Sequence, residues 1–493
     1  MEQSCSWSHR SRSIRTIRFS RWESDSMDDL LFQSFLDVGN LYRQKEVSPV
    51  EVTRKVFERI EKTEPELNAF VTLLEDTAMK QASKAEKLFL NKEETHLLTG
   101  IPFSVKDLFY TKEVLTTCAS NVLKDFKPDY TATVVQKLNE TNAVLFGKNN
   151  MLEFAYGIVH PDFGQTNNPW DITKTSGGSS SGSAASVAAG IGYFSLGTDT
   201  GGSIRIPASY CGVVGLKPTR GIVSTYGVFP LSWSLDHAGP ITRTAREAAV
   251  VLDVIAGNDL NDPHSATQTL NRSELKSFEL SNSKKRVGVL SVECLRGLEP
   301  DVKQVYDNTL KEIESLGWEV TEVSINDWQR SEQIIMDVLL PEAAHIHKKW
   351  LEQKSDYAEL TYKQIEMGME QKAVTYLKGL DDLHRYTSSV SALFEKVDVL
   401  LTPTVAFPAP EEDPEIGSEE LNEMVFTGPF NISGHPAVTI NMGFSGEGLP
   451  VGMQLVGPHF HDIELLKIAN VLEQTQAKKY PPFITGETVR SKK

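Results

Sequence analysis

The residues with the clearest chemical meaning lie between positions 176 and 207, where glycines and serines cluster. The chain reads Ser176-Gly-Gly-Ser-Ser-Ser-Gly-Ser-Ala-Ala and then Gly197-Thr-Asp-Thr-Gly-Gly-Ser-Ile-Arg-Ile-Pro207. Gly201 and Gly202 directly precede Ser203, and glycines allow a tight turn that aims several backbone N–H groups at one point. Those groups would stabilise an oxyanion while the Ser203 hydroxyl attacks a carbonyl group. The segment therefore predicts a serine nucleophile for acyl transfer.

A serine nucleophile needs a base, and the Gly/Ser-rich block contains no histidine. Lys106 is the candidate because it ends the apolar run of Gly100-Ile-Pro-Phe-Ser-Val-Lys-Asp and would enter a core. Burial disfavours the ammonium form, so the pKa falls and the neutral amine can accept a proton. Considered alone, Lys106 is more simply a surface charge or the partner of Asp107. Only its combination with the serines indicates a base.

The block has three competing interpretations. A flexible linker is disfavoured because residues 184–189 are apolar and helix-forming, and a phosphate loop is disfavoured because its Gly-Lys-Ser/Thr signature is missing. The run from Gly178 to Gly182 matches the G-x-S-x-G elbow, in which Ser180 would be the nucleophile with Asp398 and His435 as partners. The polar residues before this run argue against the apolar strand that an elbow requires.

The elements that must position these residues alternate between strands and helices. Ser48, Pro49 and Glu51 predict a capped helix start, and residues 258–285 are typical of a surface connection. Strands are predicted at 69–73, 101–105, 143–146, 287–290, 318–323, 397–401, 437–442 and 452–456, with helices over 328–352, 360–395 and from about 462. This alternation indicates an α/β sheet covered on both faces, in one large domain.

Several motifs together resemble the amidase signature family. Lys106, Ser179 and Ser203 stand within G-I-P-F-S-V-K-D, G-G-S-S-x-G-S-A and G-T-D-x-G-G-S-I-R-x-P, at separations close to that family's. The resemblance runs from about Met27 to the end of the chain. It includes the runs 147–155, 211–219, 236–240 and 431–436. A match in so many motifs is specific to the family.

The resemblance implies a Ser–Ser–Lys catalytic triad. Lys106 would be the neutral base, Ser179 would lie on a cis peptide and relay the proton, and Ser203 would form the acyl-enzyme. The implied oxyanion hole comprises the N–H groups of Thr200, Gly201, Gly202 and Ser203, with Ser180, Asp199 and Arg205 as supporting residues. The implied fold is a single large α/β domain in which α-helices cover a central twisted mixed β-sheet.

The family includes free-standing amidases and the A subunit of glutamyl-tRNA amidotransferase. The A subunit typically has Met-Asp-Glu-Phe where this chain has Met151-Leu-Glu-Phe154, and it holds glutamine with an acid and an arginine pair. Glu423 and Lys363 stand near the corresponding positions here, and lysine does not reproduce a bidentate arginine. The sequence therefore favours a free-standing amidase for small or aryl amides, active alone or as a homodimer. The tRNA-linked glutaminase with its B and C subunits is the alternative, ahead of a non-catalytic docking module.

Composition restricts the remaining choices. A net charge of −16 argues against a nucleic-acid-binding surface, and no apolar run is long enough to span a membrane. The four cysteines are far apart, which is typical of free thiols in a reducing cytoplasm. His345 and His347 would face different directions on a helix. No metal and no cofactor are therefore expected.

The first 26 residues differ from the rest of the chain. They are rich in serine, carry five arginines and contain few acids, which is the composition of an organellar transit peptide. A translated leader upstream of Met27 is the competing interpretation. We expect residues 1–26 to be a disordered, dispensable tail and residues 27–493 to form the amidase domain.

Overall fold

One mixed β-sheet of eleven strands runs through the protein. The structure is a computed structural model that describes residues 30–280, 284–414 and 422–485. The tail predicted at residues 1–26 lies outside the described residues. The strand order is β1-β3-β2-β6-β8-β7-β12-β13-β11-β9-β10, and β4 pairs with β5 in a separate sheet. The strands are β1 (Phe70–Leu73), β2 (Pro102–Lys106), β3 (Val144–Asn149), β4 (Asn167–Asn168), β5 (Asp171–Thr175), β6 (Phe194–Asp199), β7 (Val214–Lys217), β8 (His237–Thr242), β9 (Arg286–Leu290), β10 (Glu319–Val323), β11 (Val399–Pro403), β12 (Ala437–Phe444) and β13 (Pro450–Val456).

The α-helices surround this sheet and confirm the predicted α/β class. Short 3-10 turns occur at Asn121–Leu123, Glu153–Ala155, Arg272–Lys276, Trp328–Arg330 and Lys348–Asp356. The α-helices are α1 (Phe35–Gln44), α2 (Pro49–Leu67), α3 (Glu75–Asn91), α4 (Thr133–Glu140), α5 (Ser181–Ala188), α6 (Arg205–Cys211), α7 (Ala245–Ile255), α8 (Pro300–Ser315), α9 (Ser331–His347), α10 (Glu359–Glu370), α11 (Ala373–Leu393), α12 (Gly428–Ser433), α13 (Asp462–Glu473) and α14 (Pro482–Thr485).

Local sequence signals located eight of the thirteen described strands and several of the helices. Ser48 caps α2 in a capping box with Glu51, with Pro49 at the first helical position, as predicted. The helix predicted over 360–395 is wrong in one respect. It divides into α10 and α11, because Gln371 and Lys372 adopt extended backbone conformations. That break allows both helices to pack against α9.

The central strands β6, β7 and β8 escaped prediction, although they lie beside the chemistry. β6 contains Gly197, and β8 contains Gly239 and Pro240, residues that are disfavoured in strand interiors. Every residue of these three strands is buried. Full burial alone does not explain the omission, because β2 and β3 are buried throughout as well and were predicted from their apolar runs. In β6 and β8 the glycines and Pro240 interrupt such a run.

The parallel pairing of β2 with β6 determines where the candidate residues meet. Val105 of β2 pairs with Leu196 of β6, and both strands run in the same direction. Their carboxyl ends therefore open at one edge of the sheet, where binding sites of α/β proteins usually lie. Lys106 ends β2 and Asp199 ends β6 at that edge.

Helix α5 is buried along its whole length and carries the serine block into the protein. Its sequence, Ser-Gly-Ser-Ala-Ala-Ser-Val-Ala, contains only small side chains and one valine. A methyl group on Gly182 would lie 2.2 Å from the carbonyl oxygen of Ala69. Small residues are therefore required for this helix to approach the β1 region closely. No described helix combines the length and apolar character needed to cross a membrane.

We predict that Gly182→Ala destabilises the protein although alanine is the better helix former. The new methyl group would overlap backbone atoms, and overpacking of this kind costs about 1–3 kcal/mol. The gain in helix propensity, about 1 kcal/mol, would not offset it. Gly446→Ala is the control, because its nearest neighbour would be 3.8 Å away. A melting temperature of Gly182→Ala at or above that of the control would contradict the packing argument.

Candidate active site

Lys106 is fully buried and contacts two hydroxyl groups. Its Nζ atom donates to Ser179 Oγ at 2.7 Å and to Thr198 Oγ1 at 3.0 Å. The alternative ion pair between Lys106 and its sequence neighbour Asp107 is not formed, because Asp107 pairs with Lys148 at 3.2 Å. Lys106 therefore lacks a direct ion pair among the described residues, and a serine hydroxyl is its shortest contact.

Burial sets the charge state of this lysine. Burial lowers the pKa of Lys106 to about 7, against the attraction of Asp199 and Asp236, which favour the ammonium form. A substantial fraction of the amine is then neutral near neutral pH and can accept a proton. This electrostatic environment is the one that a lysine base requires.

Ser179 and Ser203 line one cavity. The peptide bond between Gly178 and Ser179 is cis, and the Ser180 amide donates to the Ser203 carbonyl at 3.1 Å. Among the described residues, the apolar side chains that line the cavity include Leu152, Ala155, Ile206, Leu231, Met336, Leu339 and Met424. Outside the serine block and the turn, the polar side chains that line it are Tyr156, Gln364 and Glu423. The cavity is thus mainly apolar, with the two serines on its wall.

A tight turn at residues 200–203 lies on the same cavity wall. Thr200, Gly201, Gly202 and Ser203 all line the cavity. Their role as an oxyanion hole stays a prediction. The amides of Gly201, Gly202 and Ser203 have no hydrogen-bond acceptor among the described residues. Gly202 adopts a φ of 147°, which side chains rarely tolerate. The turn therefore offers free donors to a ligand oxygen.

Asp199 and Arg205 flank the turn and form a buried ion pair. Both are fully buried, and the guanidinium contacts the carboxylate through Nε at 2.9 Å and Nη2 at 2.8 Å. Asn431 also donates to Asp199 Oδ1 at 2.8 Å. Burial alone would raise the pKa of Asp199, but the Arg205 charge and these hydrogen bonds hold it below its usual value. The ionised carboxylate accepts the Ile204 amide at 3.1 Å, which shapes the end of the turn.

Ser180 has a different environment from its two neighbours in the block. Its Oγ atom donates to the Thr198 carbonyl at 3.1 Å, so it ties the block to β6. The elbow alternative is not assembled. Asp398 pairs with Arg286 on the protein surface at 2.7 Å, and His435 contacts Ser391 at 3.2 Å. Residues 171–175 do form a strand, but it is polar and belongs to the small second sheet.

Of the two candidate glutamine-binding residues, Glu423 and Lys363, one lines the cavity and the other does not. Glu423 lines the cavity, and its carboxylate accepts the Tyr210 hydroxyl at 2.7 Å. Burial and the neighbouring Asp413 raise the pKa of Glu423 to about 8. Lys363 instead pairs with Glu359 at 2.7 Å, and Gln364 is the residue of α10 that reaches the cavity. Lys363, which the sequence placed near the position of an arginine, is therefore not among the described residues that line the cavity.

Sequence reasoning missed several groups that the structure brings to the site. Thr198 contacts Lys106, and Asn431 and Gln454 contact the buried Asp199–Arg205 pair through 2.8 Å and 2.6 Å hydrogen bonds. Asn431 stands in a motif that the sequence singled out, but its partner is 232 residues away. No group of three or more metal-binding side chains is assembled within the described residues.

Comparison with known proteins identifies the class of protein that this fold and site define. The Amidase family profile matches residues 51–466. The chain therefore belongs to the amidase family, and the resemblance to amidase-signature proteins seen in the sequence is confirmed.

The relatives and similar structures include both amidotransferase A subunits and an amidase. The chain is 36% identical over 477 residues to the A subunit of glutamyl-tRNA(Gln) amidotransferase from Carboxydothermus hydrogenoformans, covering 90% of this chain and 98% of the relative. A solved structure described as an amidase has a TM-score of 0.80 at 31% identity, covering 90% of this chain and 100% of the other. The corresponding A subunit from Thermotoga maritima has a TM-score of 0.75 at 29% identity, covering 93% and 97%.

We predict that an active-site serine probe labels Ser203 faster as the pH rises through about 7. Below this pH the Lys106 ammonium cannot accept a proton, so the rate should fall by about tenfold per pH unit. Replacing Lys106 by methionine should remove the dependence of labelling on pH and slow labelling by about 10²–10⁴-fold. The measurement is the inactivation rate with a fluorophosphonate between pH 5 and 9.

Lys303→Met is the matched control for the Lys106 variant, because Lys303 is exposed and its ion pair among the described residues is with Asp307, at 2.6 Å. It should label like the unmodified protein at every pH. Labelling of Lys106→Met at the normal rate, with the normal pH profile, would rule out the lysine as the base.

Proposed function

We propose that this protein hydrolyses a carboxamide through an acyl-enzyme at Ser203, with glutamine as its ammonia-releasing substrate. The observation that carries the hydrolytic part is the buried 2.7 Å contact between Lys106 and Ser179, beside the cavity that Ser203 lines. Membership of the amidase family supports hydrolysis of a carbon–nitrogen bond. The comparisons favour the amidotransferase role over the free-standing amidase that the sequence favoured.

In the proposed reaction a proton passes from Ser203 through Ser179 to Lys106, and it later returns to the leaving ammonia. Neutral Lys106 takes the proton of Ser179 as Ser179 takes that of Ser203, whose oxygen attacks the amide carbon. The resulting oxyanion accepts hydrogen bonds from the amides of residues 200–203. Collapse breaks the C–N bond, and the returned proton leaves with ammonia. Water then attacks the ester, releases the carboxylic acid and restores Ser203.

Glutamine fits one feature of the cavity. Glu423 and Asp413 are neighbouring acids, and burial raises the pKa of both, to about 8 and about 6. A ligand ammonium group near Glu423 would favour the ionised carboxylate and relieve its repulsion with Asp413. In an amidotransferase, the released ammonia would pass to the partner B and C subunits.

A free-standing amidase is the second candidate, and the composition of the cavity favours it. No lysine or arginine is among the described residues that line the cavity, so a glutamine carboxylate would lack a cationic partner there. Gln364 occupies the position on α10 from which such a cation could act. The surrounding apolar side chains suit an uncharged alkyl or aryl acyl group. A homodimer of such an amidase stays a prediction.

We predict that Ser203→Ala lowers ammonia release by about 10⁶-fold on every substrate of the protein, because the acyl-enzyme cannot form. The measurement is ammonia release from glutamine, short aliphatic amides and aryl amides, with and without the B and C subunits. Ser181→Ala is the control from the same serine block. Activity of Ser203→Ala equal to that of the control would refute the acyl-enzyme.

The same substrate panel separates the two candidate functions. Release from glutamine that increases when B and C subunits are added supports the amidotransferase role. Release from aryl or aliphatic amides by the isolated chain, with none from glutamine, supports the free-standing amidase. Ser203 dependence is expected in both cases.

We predict that Glu423→Gln raises the KM for glutamine by about tenfold or more, equivalent to at least about 1.4 kcal/mol of binding free energy. The variant loses the charge that would face the substrate ammonium group. The KM for an uncharged aryl amide should change little. An equal increase for both substrates would contradict the assignment, because it would indicate a general disturbance of the cavity.

A further inference from the structure

The carbonyl group of Gly201 is held from outside the cavity by Thr427. The Thr427 hydroxyl donates to this carbonyl oxygen at 2.6 Å, and Thr427 is fully buried. Gly201, Gly202 and Ser203 line the cavity, whereas Thr427 is not among the described residues that do so. The hydrogen bond therefore lies on the buried side of the turn.

The geometry of the peptide bond transmits this contact into the cavity. The Gly201 carbonyl and the Gly202 N–H belong to one trans peptide plane, in which the two groups point in opposite directions. Fixing the carbonyl on Thr427 consequently directs the Gly202 N–H toward the cavity side. That amide has no acceptor among the described residues, as expected of a donor kept for a ligand.

The Thr427 hydroxyl does not make the hydrogen bond that is usual for a threonine at this position. It is the N-cap residue of α12, where a threonine side chain normally accepts a hydrogen bond from the first turn of its own helix. No such capping bond forms here. The hydroxyl is used instead as a donor to a residue 226 positions away in the chain.

The surroundings leave Thr427 and the turn little freedom to move apart. A methyl group on Gly202 would lie 2.4 Å from Thr427 Oγ1, so only glycine permits this approach. Arg205 donates to the Thr427 carbonyl at 2.9 Å. On the other side of the turn, the Thr200 hydroxyl donates to Asp236 at 2.6 Å. The turn is therefore anchored at both ends.

We propose that Thr427 is a positioning residue that orients the Gly201–Gly202 peptide, so that the Gly202 N–H can stabilise the oxyanion. It does not touch the substrate and acts only through the carbonyl of Gly201. The inference rests on the proposed acyl transfer at Ser203, because an oxyanion forms only in such a reaction.

The test is the kinetics of labelling by a fluorophosphonate, whose phosphoryl oxygen occupies the oxyanion position during attack. Thr427→Ala and the same-sized Thr427→Val should lower the maximal inactivation rate by about 10²-fold, with little change in the half-saturating probe concentration. The midpoint of the pH profile should stay unchanged, because Lys106 is unaffected. Thr427→Ser keeps the hydroxyl and should recover most of the rate.

Thr404→Ala is the matched control, because Thr404 is buried and loses a comparable hydrogen bond, 3.1 Å to Thr439. It should label at the normal rate even if its melting temperature falls. Normal labelling of folded Thr427→Val, or no recovery in Thr427→Ser, would overturn the inference. Absence of labelling at Ser203 in the unmodified protein would instead overturn the proposed function itself.

Discussion

Burial of one amine is the constraint on which the candidate site depends. Lys106 ends β2 inside the protein, and an amine of ordinary pKa would be charged there and unable to accept a proton. Asp199 is close enough to favour the ammonium form and so opposes this arrangement. The pairing of Asp199 with Arg205 offsets that effect, because the guanidinium neutralises the carboxylate. A buried ion pair and a buried lysine whose pKa is lowered are therefore parts of one electrostatic arrangement.

The same ion pair also organises the structure around the turn. Asp199 ends β6, Arg205 begins α6, and the turn with Ser203 lies between them. Asn431 of α12 binds Asp199, and Arg205 binds the carbonyl of Thr427 just before that helix. Breaking a buried pair of this kind typically costs about 3–5 kcal/mol, because the remaining charge stays buried. The geometry of the turn is consequently coupled to the stability of the protein interior.

The relatives of the chain and the side chains that line its cavity favour different substrates. The relatives include amidotransferase A subunits, and under the proposed function Glu423 would face the ammonium group of glutamine. Gln364, however, would offer no positive charge to the glutamine carboxylate. A guanidinium forms two charge-assisted hydrogen bonds with a carboxylate, and a neutral amide does not reproduce them. Substrate choice thus depends on a few side chains in a catalytic arrangement that both functions would share.

The sequence by itself determined the α/β class, the family, and the candidacy of Lys106 and Ser203, because each depends on residue types at short or fixed spacings. It also located the capped helix and most strands, but not the central strands β6 and β8, whose glycines and proline are disfavoured in strand interiors. Only the tertiary structure decided that Gln364 rather than Lys363 reaches the cavity and that Thr427 meets Gly201. These contacts join segments distant in the chain, and their partners are set by strand order and packing, which no local pattern encodes.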